Sequence, residues 1–525
     1  MKVESKKKGM TSSTVFLAVA LMAACGGDDG SVTSPLMTTG SLAAVAAPAA
    51  VIDAKTLTDT TAPLLLPKAG TRTYSAPVET ESGHDPSNYK PAPVVPNIVP
   101  ATSDPTGGVL TFERETAPLE GWHAWARNGA AGTHRQVLVT GGSSAAANRI
   151  YTVFTKEQLV NAIREARNEP KIIRVVGHID FRVDGGVFRE YTSFDDLKSG
   201  GSLFIPSNTT LVGINDANGR PARISGTQLL IGNENGNFEV DFKAWVAAGK
   251  NPDTFPGWTR NVIVRNLAID VMWDVNPEDS ANAYADGICV SWAQNVWIDH
   301  ITLTDLPTPS SLSSDTRHDG GLDVVRGSDY VTISNSHFTV HGKMSLVGNS
   351  DAGRQWSDEG RLHVTFTGNH WEGVNSRTPR VRYGQVHIYN NLVTGDTRPS
   401  VANGTLPPGA AASDVKFESA IGVGYKADIL AENNYYNMKT LKPKEVCGKL
   451  VVDHGKGVSF RSRGARFISN KDDAGKPMTA TIDVELQGCD GIPVANLWTP
   501  PYGYTLKTAD DAKAAILANV GAGKL

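Results

Sequence analysis

Apolar residues recur along the middle of the chain in a two-residue alternation that stops at a fixed point. "VIVRNLAI" from Val262, "VWIDHITL" from Val296, "VTISNSHF" from Val331, "VTFTGNHW" from Val364, "VHIYNNLV" from Val386 and "ILAENNYY" from Ile429 share it. Each is apolar at its first and third positions, the mark of a strand with one buried face. The fifth position holds Asn266, His300, Asn335, Asn390 and Asn433, with Gly368 as the exception and Asn369 beside it. The starts are separated by 34, 35, 33, 22 and 43 residues. Strands at irregular periods of this size, without helices between them, predict an all-β parallel β-helix with loops of variable length. Equivalent side chains of successive coils stack about 4.8 Å apart, so the recurring Asn is expected to form an internal hydrogen-bonded ladder. An open β-sandwich is the competing arrangement, but its strands recur at shorter spacing.

Helical periodicity is confined to the two ends. In "TKEQLVNAIREARNEP", Thr155 is the expected N-cap and Gln158 completes a capping box. Leu159, Ile163 and Ala166 share one face, and Pro170 ends the helix. A second helix, capped by Thr508, closes the chain at "TADDAKAAILANVGAG".

The start of the chain has a different character. Lys2 and Lys6 to Lys8 precede a short apolar stretch, Val15 to Met22, too brief to span a bilayer as a helix. It runs into "LMAAC", which resembles a bacterial lipoprotein signal, with Cys25 as the lipidated residue; a plain secretory signal cut near Ala24 is the alternative. Both predict export: a secreted protein, or a lipoprotein of the bacterial outer membrane or cell surface. Residues 26–118, rich in Ala, Thr, Ser and Pro, cannot bury enough apolar surface to offset their ordering entropy and read as a tether. The ordered domain is expected over 119–525, with an insertion at about 440–495.

The 525 residues carry a formal net charge of −4, which argues against a general nucleic-acid binder. An exported chain permits disulfides, and Cys447 with Cys489 is the pair expected within the insertion; Cys289, in an apolar strand pattern, reads as a buried thiol. No two cysteines have metal-site spacing.

The repeat also serves as a ruler. Asp286 lies 10 residues before Val296, and Asp319 and Asp323 lie 12 and 8 before Val331. Lys343 follows Val331 by 12 residues and Arg377 follows Val364 by 13. Stacking therefore brings the three carboxylates together, and Asp319 and Asp323 share one strand face. Singly, each aspartate reads as a solvated turn residue. Jointly they repel one another unless a cation bridges them, and hard oxygen donors on a partly open surface favour Ca²⁺. Arg377, Arg380 and Arg382 crowd around Pro379 beside this cluster. Guanidinium forks suit carboxylates, and one of the three could serve only to neutralise the aspartates. A groove with a cation and a basic rim suits a polymer carrying many carboxylates, such as a uronic-acid polysaccharide. His300, in phase with the ladder, reads as structural; His318, His341 and His387 fit no metal spacing, and Trp297, Trp371 and Tyr383 read as core or groove wall.

"YADGICVSWAQNVWIDHITL", "HDGGLDVVRGSDYVTISNSHF", "HGKMSLVGNSD" and "NSRTPRVRYGQVHIYNN", flanked by "IPSNTTLVG" and "GVGYKADILAENNYY", resemble the successive motifs of the pectate lyase superfamily. The similarity runs from about Gly121 to Met438 and returns at "YGYTLKTADDAKAAILANVGAG". It implies a right-handed parallel β-helix and Ca²⁺-dependent β-elimination of α-1,4-linked polygalacturonate to unsaturated oligogalacturonides, by a monomer acting in pectin degradation. By that resemblance Asp286, Asp319 and Asp323 match calcium ligands. Arg377 matches the base that removes the C5 proton, and Lys343 and Arg382 match groups that bind uronate carboxylates, with Arg380 beside them. Two positions depart from the pattern: Tyr284, where some members have an acid, and Gly342, where relatives often have Asp.

The rival readings are a galacturonan hydrolase using paired carboxylates on the same solenoid, a pectin lyase, and a non-catalytic carbohydrate-binding β-helix. Three retained aspartates favour the de-esterified substrate over the methyl ester, and a binding module has no reason to keep Lys343 and Arg377 beside them.

Overall fold

The computed structural model describes residues 112–525 except 128–132, 166–168, 185, 194–196, 198–201, 233–236, 276–285, 308–317, 401–414, 456–457 and 495–497. The expected signal segment with Cys25, most of the expected tether, Ala166 and Tyr284 lie outside the described residues.

The apolar-first-and-third segments become strands of one ten-stranded, wholly parallel sheet, from Ile150–Val153 at one end to Ser459–Arg463 at the other. Their register follows the sequence spacing: Val262 pairs with Val296, Val296 with Val331, Val331 with Val364, Val364 with Val386, and Val386 with Ile429. A 17-stranded sheet supplies the remaining walls, so each coil's loops emerge at its corners. This is a parallel β-helix. Its interior is filled by the first- and third-position residues, among them Val262, Ile298, Val331, Phe366 and Ile388.

The asparagines divide their work differently from the expected ladder. The fifth-position residues Asn266, His300, Asn335, Asn390 and Asn433, like Gly368, have left-handed backbones with φ between 47° and 67°. That conformation is what favours Asn and Gly there. The internal ladder stands one residue later. The Asn369 and Asn391 backbone N–H groups donate to Asn391 Oδ1 (2.9 Å) and Asn434 Oδ1 (3.0 Å), and the Ser336 N–H donates to Asn369 Oδ1 (2.9 Å). The fifth-position Asn390 and Asn433 instead donate to the Lys507 carbonyl, docking the segment that leads into the last helix.

The first helix, Lys156–Arg164, is N-capped as expected by the Thr155 hydroxyl on the Gln158 N–H (3.3 Å), while Gln158 Oε1 reaches past the cap to the Phe154 N–H. It closes the N-terminal end of the interior with Leu159 and Ile163. The last helix, Ala509–Asn519, is capped by Thr508 and lays Ala509 and Ile516 on Leu392 and Tyr435. A further helix, Phe238–Ala247, has no counterpart in the sequence reading; Phe238 and Phe242 anchor it on Phe255, Trp258 and Trp292. Trp297, Trp371 and Tyr383 are buried. Cys447 and Cys489 form a disulfide. Cys289 is fully buried, but it is disulfide-bonded rather than the thiol the sequence suggested, and among the described residues no cysteine is free. Within the segment after residue 440, strands Val451–Asp453, Ser459–Arg463 and Arg466–Ile468 add parallel to the preceding coil. Among the described residues no helix is long and apolar enough to cross a membrane.

Candidate active site

Two columns of equivalent positions on the 17-stranded sheet assemble the candidate residues. In one, Cys289 pairs with Asp323, Asp323 with Leu346, and Leu346 with Arg380. In the other, Gly320 pairs with Lys343 and Lys343 with Ser376, next to Arg377. Alternation along the strand Gly320–Val325 puts Leu322 and Val324 inside, and so turns Asp323 outward.

The three aspartates meet around Gly320. Asp286, fully buried, accepts the Gly320 N–H on Oδ1 (2.7 Å) and the Gln228 side-chain amide on Oδ2 (3.0 Å). The Asp323 carboxylate lies over the Gly320 Cα, and a Cβ at that glycine would come 2.5 Å from Asp323 Oδ2. Asp323 Oδ1 also accepts the Leu346 N–H at 3.0 Å. Asp319 Oδ1 accepts from Lys343 Nζ at 2.8 Å, while its Oδ2 is buried without a hydrogen-bond partner.

This concentration of charge is electrostatically uncomfortable. Burial, then Asp323 and Asp319, push the Asp286 carboxyl well above the ordinary range, against the Gly320 N–H and Lys343. Burial pushes Asp323 up to about 7, with Arg377 opposing and Asp319 adding to the rise. Among the described residues, the three aspartates do not bring one oxygen each within 4.8 Å of the others. Lys343 sits on one of them, Asp319. Two buried carboxyls whose charged form is disfavoured and a third with an orphaned buried oxygen form an all-oxygen donor set that fits a hard divalent cation.

The cationic rim is built from the next coils. Arg377 is 8% exposed and has φ 65°, a costly left-handed backbone for a long side chain. It is fixed there by the Ser345 N–H on its carbonyl (2.9 Å) and by the Thr378 N–H on Ala420 O (2.9 Å). Arg380 is half-buried in the Asp323 column, two coils on. Arg382 is buried, and its Nε and Nη1 donate to Asp351 Oδ1 (2.7 Å) and Gly348 O (3.1 Å). Lys343 and Arg377 thus stand at the aspartates, whereas Arg382 is held by an exposed acid at the rim.

The sequence pattern assigns no role to several partners. His341, buried between Asp305 Oδ1 and the Asp319 carbonyl, fixes the Asp319 backbone. His454, on the coil after residue 440, is held below the ordinary imidazole value by burial and by Arg380, Arg377 and Arg382. Gln228 opens the strand Gln228–Gly232, outside the motifs, and Asp351 closes "HGKMSLVGNSD" in a bend; only the coil register would reveal their partners.

A family model described as pectate lyase matches residues 122–525. The chain is 32% identical over 405 residues to pectate lyase E of Dickeya dadantii (strain 3937), covering 74% of this chain and 84% of that protein. It is 29% identical over 438 residues to a pectate lyase of Bacillus subtilis (strain 168), covering 74% of this chain and 90% of that one. Among solved structures, one titled "Pectate lyase bound to hexasaccharide" has the same fold, with TM-score 0.60 at 24% identity over 79% of this chain and 99% of the other. With the family motif spanning every coil that builds the carboxylate cluster and its basic rim, this chain belongs to the pectate lyase family and is a polysaccharide lyase.

Proposed function

We propose that the protein is a Ca²⁺-dependent pectate lyase that cleaves α-1,4-linked polygalacturonate by β-elimination, releasing unsaturated oligogalacturonides. The observation that carries this reading is the register that sets Lys343 over Gly320 and Ser376–Arg377 over Lys343, beside Asp286, Asp319 and Asp323. In this reading the aspartates hold Ca²⁺. The ion's chemistry there is to draw charge from the uronate carboxylate and so favour the enolate-like charge that develops on losing the C5 proton.

The chain's own residues do the rest. Lys343, one end of a solvent-reachable ion pair with Asp319, is 36% exposed and can exchange that carboxylate for one of the substrate's. Arg380 and Arg382 supply further cationic charge along the groove, and Arg382 binds a uronate by releasing Asp351, itself 54% exposed. Arg377 takes the C5 proton. The C–H electrons form the C4–C5 double bond, the C4–O bond breaks, and the leaving oxygen takes a proton from water. Arginine ordinarily keeps its proton at neutral pH, so in this reading turnover rises toward alkaline pH.

The test is to incubate polygalacturonate with the protein and follow ultraviolet absorbance of the unsaturated ends, with and without EGTA. Growth in absorbance that chelation stops and Ca²⁺ restores is expected. New reducing ends without absorbance would mean a hydrolase, and unchanged turnover in EGTA would refute the cation's role.

A further inference from the structure

Away from the aspartates, the same stacking brings a second and chemically different donor set together. His337 pairs in register with His370 on the next coil, and Thr339, two residues on, pairs with Glu372. Residues two apart share a strand face, and neighbouring coils are about 4.8 Å apart. His337, Thr339, His370 and Glu372 are therefore the corners of one small rectangle on the outer surface. The two imidazoles stack with centroids 5.1 Å apart and planes 13° from parallel. His337 Nε2 lies 2.9 Å from Glu372 Oε2. One donor atom from each of His337, His370 and Glu372 lies within 4.8 Å of the other two, the condition the three aspartates do not meet. The set is anchored on one side and open on the other. His370 is 5% exposed and its Nε2 is 2.9 Å from Thr394 Oγ1. The Glu372 side chain is 49% exposed and that of His337 is 25% exposed.

We infer that His337, His370 and Glu372 form a binding site for a divalent transition-metal cation of the Zn²⁺ class. Two imidazoles and one carboxylate are the donors such ions prefer, whereas Ca²⁺ takes oxygen. Water from the open side completes the coordination. The site is separate from the proposed catalytic groove: His337 and Lys343 are six residues apart on the strand His337–Val347, up to about 20 Å along it.

Its position suggests what occupancy does. The last residues of the chain pass beside it, with the Gly521 N–H on Asn335 O (2.9 Å) and the Ala522 N–H on Thr302 Oγ1 (2.9 Å). A Cβ at Gly521 would lie 3.0 Å from the His337 Cβ. A cation clamping the His337 and His370 coils therefore stiffens the surface on which the C-terminus docks.

The test uses the whole chain without added histidines, in excess Ca²⁺ so that the aspartates do not compete. Co²⁺ is titrated while its visible ligand-field bands are recorded, and Zn²⁺ is titrated against the thermal midpoint. The wild type is expected to develop the bands and to melt higher with Zn²⁺. His337→Ala and Glu372→Gln, both at solvent-reachable positions, should each weaken binding at least about tenfold, the loss typical even of residues behind the ligands, while keeping polygalacturonate turnover. Undiminished binding in both variants, or neither bands nor a thermal shift in the wild type, would overturn the assignment.

Discussion

Replacing Asp323 by Asn should make the metal-free protein more stable, an unusual result for a change at the heart of a site. Asp323 is 1% exposed, and burial foremost lifts its carboxyl from an ordinary 3.8 to about 7. A shift of about 3 units corresponds to ~4 kcal/mol at about 1.4 kcal/mol per unit. The sign follows from proton binding. Between the unfolded and folded pKa values the folded state holds more protons, so stability falls as pH rises through that window, and the full cost is present above about 7. Asn carries no charge to desolvate, yet its Oδ1 can still accept the Leu346 N–H that Asp323 accepts at 3.0 Å. It also relieves Asp286, whose carboxyl is raised in part by Asp323. With unfolding entropy of ~2 cal/mol/K per residue over roughly 400 ordered residues, ~4 kcal/mol corresponds to roughly 5 °C. In EGTA, Asp323→Asn should therefore melt with the wild type near pH 4 and above it, by up to that amount, at pH 8. Added Ca²⁺ should raise the wild type more than the variant, because the ion stabilises only the state that binds it. A variant that melts below the wild type at pH 8 in EGTA would show that the buried carboxylate is not a liability, and the argument for a cation would lose its physical basis.

Other perturbations separate chemistry from scaffold. Arg377→Lys should lower turnover by about 10² or more, the scale of a lost proton-transfer group, with an unchanged circular dichroism spectrum; near-normal activity would refute the base assignment. Gly320→Ala places a methyl 2.5 Å from Asp323 Oδ2, so it should displace that carboxylate and weaken Ca²⁺ in a calorimetric titration while the solenoid stays folded. Asn391→Ala removes the acceptor of the Asn369 N–H and the donor to Phe366 O, both inside the coil. Leaving such buried groups unpaired should cost about 2–4 kcal/mol in denaturant unfolding, with little effect on Ca²⁺ affinity in the folded protein.

The solenoid was legible because its repeat converts separation along the chain into adjacency in space. Once Val296, Val331 and Val364 are taken as equivalent, Asp286, Asp319, Lys343 and Arg377 must lie on neighbouring coils, and the pairings follow that arithmetic. What the spacing does not carry is the direction of a side chain at a corner. Asn335 and Asn390 recur because a left-handed turn residue is needed there, and recurrence alone cannot distinguish that demand from an internal ladder. Gly368 held the clue. A residue with no side chain can make the turn but no ladder, and the Asn beside it, Asn369, is the one that forms the rung.

The same limit explains Arg382. Its place in the motif is plain, but its partner Asp351 comes from a loop whose path no period describes. His454 stands on a coil whose third position is Ser462 rather than an apolar residue, so the pattern fades where the charge environment of the arginines is completed. His337 and His370, by contrast, sit six residues after Val331 and Val364 and were within reach of the ruler all along. Spacing along the chain does not pair them. In a solenoid the distance that matters between ligands runs across coils, where residues 33 apart in sequence are nearest neighbours.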